Sequence, residues 1–288
     1  NFTVAILPRD KVVITSQEFP SNRVIWESLK KLGVTTCPAD LSQHDSPESA
    51  IIECLDENTR LLSVSSVQYG TGLKLDLARL GAACQERDVL FCVDAIQSLG
   101  AEVFDVQACQ ADFVMADGHK WMLGAEGVGL FYCSEKWRDR LELHQFGWHM
   151  TDQYSNFDAT EWQPARSDRR FECGSPNMFG IHALNASLSL LLEVGLSEVA
   201  TALLSRSNRL YDLITSAPEL ELISNTSPER RSGIVTFRRA SESNELLFRR
   251  LKSAGVICAA RGGGIRFSPH FYTPYETLER AVEVAVGD

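Results

Sequence analysis

The sequence lacks the spacings that mark metal sites. It has no Cys-x-x-Cys pair and no His-Glu-x-x-His, so no metal centre is expected. Its eight cysteines (Cys37, Cys54, Cys84, Cys92, Cys109, Cys133, Cys173 and Cys258) are scattered, most of them inside apolar runs such as Val89-Leu90-Phe91-Cys92-Val93. Such thiols read as small buried hydrophobes kept reduced, which implies a cytoplasmic setting. No apolar run approaches the ~20 residues of a membrane-spanning helix. Positive charge is in deficit: 28 Lys+Arg against 38 Asp+Glu gives a formal net charge of −10. That balance argues against nucleic acid or an anionic membrane as a general partner. Repeats and low-complexity stretches are absent, the sequence does not open with Met, and no targeting segment is expected. The chain opens at Asn1-Phe2-Thr3-Val4-Ala5-Ile6-Leu7, which reads as the inside of a helix, so a chain entered partway is expected.

What is present is an ordinary globular composition, 288 residues with 44% hydrophobic and 23% charged. Strand-like runs alternate with helix-period segments through the first half. Strands are predicted at 11–16, 35–38, 60–66, 89–93, 112–115 and 128–133, and helices at 22–32, 46–55 and 76–87. Such alternation predicts a three-layer α/β/α domain, a mostly parallel sheet with helices on both faces. Residues 145–175 read as a long loop with Trp148, Tyr154, Phe157 and Trp162. Two apolar-patterned helices follow, at 181–193 and 196–217. Beyond Pro218 a smaller α+β unit is predicted, with strands at 234–237, 256–259 and 265–267 and helices at 244–254 and after Pro274. The domains are placed at 1–195 and 196–288.

In parallel α/β sheets, ligands bind beyond the carboxyl ends of strands, and three segments meet that condition. In Val93-Asp94-Ala95-Ile96-Gln97-Ser98, Asp94 ends a buried strand, where a carboxylate needs a cation or strong donors unless it merely caps the next turn. In Asp117-Gly118-His119-Lys120-Trp121, Lys120 sits between an apolar strand and Trp121-Met122-Leu123, a poor place for a free ammonium. Arg266, after Gly262-Gly263-Gly264-Ile265, is either a strand-edge arginine or a carboxylate binder. Jointly they suggest one chemistry. A lysine amine forms a Schiff base with an aldehyde cofactor, and pyridoxal phosphate needs an acid beside its ring nitrogen. Asp94 lies 26 residues before Lys120 (120 − 94), a crossover plus one strand, so both would emerge at the same sheet edge.

These segments resemble the class V aminotransferase family of fold-type I pyridoxal-phosphate enzymes, which includes cysteine desulfurases, selenocysteine lyases, kynureninases and isopenicillin-N-epimerase-like proteins. The resemblance covers nearly the whole chain. Its markers, in family order, are Glu18-Phe19-Pro20-Ser21-Asn22, Val93 to Ser98, Gly118-His119-Lys120-Trp121, Phe171-Glu172-Cys173-Gly174-Ser175, and Arg266-Phe267-Ser268-Pro269-His270-Phe271-Tyr272.

It implies a seven-stranded-type sheet with a smaller C-terminal domain, pyridoxal 5'-phosphate as cofactor, and an amino-acid-like amine as substrate. By the same resemblance Lys120 carries the Schiff base and moves the Cα proton. Asp94 pairs with the pyridine nitrogen, Gln97 with the ring hydroxyl oxygen, and His119 lies beside the phosphate. Phe19 stands where many relatives stack a His on the ring. Ser175 reaches the phosphate in the partner subunit of a homodimer with a shared site, and Arg266 holds the α-carboxylate.

Several departures qualify it. Asp117 replaces a phosphate-binding Ser, and as an anion it should point away from the phosphate or meet donors of its own. Ser66-Val67-Gln68-Tyr69-Gly70 replaces an Asn-containing stretch. The desulfurase loop with its catalytic Cys is absent between Arg261 and Arg266, and Cys258 reads as core. The Gly/Ser/Thr turn that cradles the phosphate in relatives is expected just before Asn1. Aminotransferase-like chemistry is therefore favoured. The alternatives are a lyase or epimerase of the same family, or a noncatalytic, truncated binding and dimerisation module.

Overall fold

The structure, a computed structural model, describes residues 2–3, 6–42 and 46–287. A short strand, β1 (Phe2–Thr3), lies where the sequence suggests a helix. Asn1, Val4 and Ala5, also covered by that expectation, lie outside the described residues. Six strands form the main sheet: β2 (Lys11–Thr15), β3 (Thr35–Ala39), β4 (Thr59–Ser65), β5 (Leu90–Asp94), β6 (Phe113–Asp117) and β7 (Gly129–Cys133). Their order is β3-β2-β4-β5-β6-β7, parallel throughout except for β7, which pairs antiparallel with β6. The sheet thus has six strands among the described residues rather than seven.

Helices α1 (Pro20–Glu27), α2 (Pro47–Glu53) and α3 (Leu77–Glu86) connect the parallel strands. Each begins where local chemistry dictates. Pro20 occupies the first turn of α1, where a missing N–H costs nothing. Ser46 and Asp76 cap α2 and α3 by accepting from the N–H groups of Ser49 and Arg79. The predicted 22–32 helix is α1 followed by a 3₁₀ segment, Ser28–Leu32, stopped by left-handed Gly33. Alternate residues of the strands face opposite layers. Val13, Leu62, Val64, Phe91 and Val93 pack with Ile51 and Leu80 on one side, and Val12, Ile14, Leu61, Leu90 and Cys92 pack with Trp26 and Leu29 on the other.

Past the short helix α4 (Glu135–Arg138), strand β8 (Glu142–Leu143) pairs antiparallel with β1. Non-local pairing thus overrides the local pattern at residues 2–3. The 145–175 segment carries two 3₁₀ turns and is mostly irregular. Helix α5 (Met178–Val194) is less buried than its apolar sequence suggests: only Gly180, Leu184 and Leu191 are buried, and Phe179 is 83% exposed. Helix α6 (Leu196–Ser216) leads into a four-stranded antiparallel sheet of β9 (Leu220–Leu222), β10 (Val235–Arg239), β11 (Ala259–Arg261) and β12 (Gly264–Phe267), ordered β11-β12-β10-β9. The predicted 256–259 strand is displaced to β11, so Cys258 lies just before it, half-buried against the C-terminal core. Helices α7 (Asn244–Ser253) and α8 (Tyr275–Val286) complete this unit. Its core gathers Leu210, Ile214, Val235, Phe237, Leu251 and Ile265. Among the described residues no single helix is long and apolar enough to cross a membrane.

A row of hydrogen bonds ties this C-terminal sheet to the main one. Four successive carbonyls, those of Tyr69, Gly70, Thr71 and Gly72, accept from Arg266 Nη1 (2.7 Å), Thr236 Oγ1 (2.7 Å), Ser224 Oγ (2.5 Å) and Ser232 Oγ (2.8 Å). Nearby, fully buried Glu48 receives both terminal nitrogens of Arg230, at 2.6 and 2.8 Å. A loop of the first unit is thereby fixed against the second at the edge where β4 and β5 end.

Candidate active site

The sheet register fixes where the chemistry can stand. Ser65 on β4 lies beside Asp94 on β5, and Asp94 lies beside Met115 on β6. Lys120 follows three residues after Asp117, the last residue of β6. Asp94 and Lys120 therefore emerge at one edge, in a cavity of about 400 Å³ whose wall also includes Phe19, Tyr69, Gln97, Asp117 and His119. Five of the residues singled out in the sequence, Phe19, Asp94, Gln97, His119 and Lys120, thus meet in one place.

Asp94 spends one oxygen on the backbone N–H of Ile96 (3.0 Å), and among the described residues no protein group donates to the other. Burial pushes its carboxyl up from the ordinary 3.8 to about 6; the charges of Glu18 and Asp117 push the same way, against the Ile96 N–H and Lys120. Lys120 has no carboxylate within ion-pair reach among the described residues, and its Nζ lies 5.9 Å from the Phe19 ring centroid. Burial holds its amine below the ordinary lysine range, helped by Arg266 and Arg261 and opposed by Asp94 and Asp117. An unpaired, partly desolvated amine facing a cavity has the environment that a nucleophilic lysine requires.

Gln97 is buried, and its Oε1 accepts the indole N–H of Trp121 (2.9 Å). Because Trp can only donate, the amide is oriented with its NH₂ group left for the cavity. Trp121 is itself held by His270, whose Nε2 lies 3.1 Å from the Trp121 carbonyl oxygen. Phe19 stands edge-on to Tyr69, with centroids 5.1 Å apart. It is rooted by Glu18, a residue for which the sequence suggests no role. The Glu18 carboxylate is buried without a cation and instead accepts from Thr15 Oγ1, Asn22 Nδ2, Gln68 Nε2 and both the N–H and hydroxyl of Ser65, at 2.6–3.3 Å. Five donors satisfy it, as a buried carboxylate requires. The only sequence signal for this was an acid wedged between a buried strand and a Pro-initiated helix.

Two residues stand differently from expectation, and a third lies outside this chain's cavity. Asp117 lines the cavity instead of pointing away, and among the described residues no donor to its carboxylate is found. Arg266 is outside the cavity wall; it sits behind Tyr69, bound to that residue's carbonyl, with its Nε buried and unpartnered. Ser175 is exposed on the loop before α5 and takes no part in this chain's cavity.

The aldehyde and ring ends of pyridoxal phosphate fit this donor set: an unpaired amine, a carboxyl with a free oxygen, an amide N–H and an aromatic face. The same cavity wall carries His119 and Asp117, and the carboxylate of Asp117 would oppose a phosphate placed beside it.

Residues 1–280 match the family model for aminotransferase class V. The chain belongs to that family. Pyridoxal phosphate is the family's cofactor. Among curated relatives, an uncharacterized aminotransferase of Bacillus subtilis is 29% identical over 94% of this chain and 70% of its own length. A cysteine desulfurase of Escherichia coli is 28% identical over 79% of this chain, which spans about half (55%) of that protein. A solved structure of C-DES, with glycine covalently linked to its cofactor, superposes with a TM-score of 0.90 at 23% identity, covering 98% of this chain and 76% of that one. At that identity the superposition establishes the α/β fold with its parallel-dominated sheet, and this class V member shares it.

Proposed function

We propose that the protein is a pyridoxal-phosphate enzyme acting on the α-carbon of an amino acid, with aminotransferase-like outcome. The observation that supports this most is the unpaired Lys120 amine in one cavity with the half-satisfied Asp94 carboxyl. When bound, the cofactor supplies an aldehyde that condenses with amines and a ring that takes up the electron pair of a bond broken at Cα. Asp94 would hold the proton at the ring nitrogen, and its raised proton affinity suits it to share that proton. Gln97 would donate to the ring oxygen, Phe19 would cover the ring face, and His119 would stand at the phosphate. Arg266 would hold the substrate carboxylate from behind Tyr69, whose carbonyl its Nη1 already meets. Lys120, its amine held below the ordinary lysine range by burial, would accept the Cα proton and return it.

Exposed Phe179 and its neighbours on α5 support a homodimer in which Ser175, at the start of that face, approaches the partner's cavity. Eight unpaired cysteines suit a cytoplasmic location. We place the domain division between Gly195 and Leu196, where α5 and α6 meet at 83°.

A second reading, carbon–sulfur lyase chemistry, is supported by the cysteine desulfurases among the relatives and by a cystine C-S lyase among solved neighbours. Against desulfurase-type persulfide transfer, the Arg261–Arg266 hairpin carries no cysteine, and burial raises the Cys258 thiol. Product analysis separates the two. Incubation of the protein and cofactor with amino-acid donors and a 2-oxo acid should give a new amino acid in proportion to donor consumed. Pyruvate and ammonia, with sulfide from cysteine or cysteine persulfide from cystine and without amino transfer, would replace this reading by the lyase.

A further inference from the structure

We propose that Arg261 and Arg266 form a paired guanidinium site that selects amino diacids, Arg266 taking the α-carboxylate and Arg261 a second, distal carboxylate. This rests on the reading above and names its substrate class.

The placement of Arg261 is built into the fold. It ends β11, opposite Gly264 of β12 in a tight hairpin. At the hairpin tip Gly262 and Gly263 have φ of +62° and +81°, a backbone that side-chain-bearing residues rarely adopt. Gly262 lies directly on Gly70: a Cβ there would stand 2.2 Å from the Gly70 carbonyl oxygen. Asn244 Nδ2 ties the tip from the other side through the Gly263 carbonyl (2.8 Å). The carbonyl row at Tyr69 to Gly72 then anchors the rest of the C-terminal sheet to the same loop.

The result is that both arginines flank Tyr69. Arg266 Nη1 donates to its carbonyl, and the Arg261 guanidinium carbon stands 5.9 Å from its ring centroid. The Tyr69 ring in turn borders the cavity and touches Phe19, which faces Lys120.

Among the described residues neither guanidinium pairs with a carboxylate, although acids outnumber bases 38 to 28 in the chain. Arg266 is partly buried and Arg261 exposed, and together they set an excess of positive charge beside Tyr69 that a carboxylate can meet. The field of Arg261 indeed acts with burial to weaken the hold of Arg266 on its proton. A monoacid can neutralise one of the pair, whereas a diacid of suitable length neutralises both. Bidentate charged contacts of this kind discriminate by tenfold or more.

The test uses the whole protein carrying pyridoxal phosphate. Cofactor loading is read first, from the visible absorbance of bound cofactor, and failure to load would overturn the functional reading itself and this inference with it. On the loaded protein, spectral titration with aspartate, glutamate and 2-aminoadipate is compared with alanine and norvaline. At least one diacid should bind tenfold or more tightly than the neutral amino acids. R261Q should reduce that ratio toward one, and R261K should retain part of it. Calorimetry with glutarate and butyrate gives a readout independent of turnover: glutarate should bind tighter in the parent protein, and R261Q should lose the difference. A loaded protein without diacid preference would overturn the inference and leave the functional reading standing. So would an R261Q variant that weakens alanine and glutamate equally, which would mean that both arginines share one carboxylate.

Discussion

Replacing Asp94 by Asn should stabilise the cofactor-free protein while disabling it. The carboxyl's proton affinity in the fold corresponds to about 6, against an ordinary 3.8. Each tenfold change in proton affinity corresponds to about 1.4 kcal/mol, so keeping Asp94 ionised costs the native state about 3 kcal/mol at pH 8. The sign follows from which state holds the proton. Between pH 3.8 and 6 the native state is protonated where the unfolded chain is not. Stability therefore falls as pH rises through that window and stays reduced above it. Asn keeps the acceptor for the Ile96 N–H and sheds the charge that burial, Glu18 and Asp117 oppose. Urea unfolding of the cofactor-free protein should thus find D94N more stable by about 3 kcal/mol at pH 8, and by only about 1 kcal/mol at pH 4.5. A D94N protein no more stable than the parent at pH 8, or a gain that does not shrink in acid, would refute the assignment of Asp94 as a strained functional carboxyl. Such a trade of stability for a working site is a general pattern.

Three other outcomes follow from the geometry. R230A leaves the fully buried Glu48 carboxylate with only the Asp76 N–H (2.7 Å) and Arg79 at 4.0 Å, and should cost about 3 kcal/mol in urea unfolding, far above the effect of an ordinary surface substitution. G262A forces a left-handed backbone and drives a methyl onto the Gly70 carbonyl. It should weaken amino-acid binding at least tenfold, while cofactor absorbance persists because Asp94 and Lys120 stand on other elements; loss of both together would contradict that separation. The rate of cofactor capture should climb with pH to a plateau whose midpoint lies below 10.5, since the neutral amine reacts and burial favours it. A stopped-flow profile with an ordinary lysine midpoint would count against the environment assigned to Lys120.

The parallel sheet was legible because buried strands such as Leu90–Asp94 carry unbroken apolar runs, and because α2 and α3 announce themselves with Ser46 and Asp76 caps. Asp94, Gln97, His119 and Lys120 could be read from segments that end strands, since the topology sends every such end to one edge. What escaped reading depends on contacts distant in sequence. The β1 strand exists through its pairing with Glu142–Leu143, which no local pattern encodes. The clamp on carbonyls 69–72 uses Thr236, Ser224 and Ser232, residue types that are equally at home on a surface. Glu18 is recognisable as a buried anion only once Ser65 and Gln68 are brought to it from 47 and 50 residues away. The apolar pattern of 181–193 marked a helix and not its surroundings, and much of α5 meets solvent within one chain.

The central assignment is the bond-forming role of Lys120, and borohydride reduction of the protein after incubation with pyridoxal phosphate tests it most directly. Peptide mass spectrometry should then find the pyridoxyl group on Lys120, and K120A should carry none. A group found on other lysines with Lys120 unmodified, or equal labelling of K120A, would contradict the account.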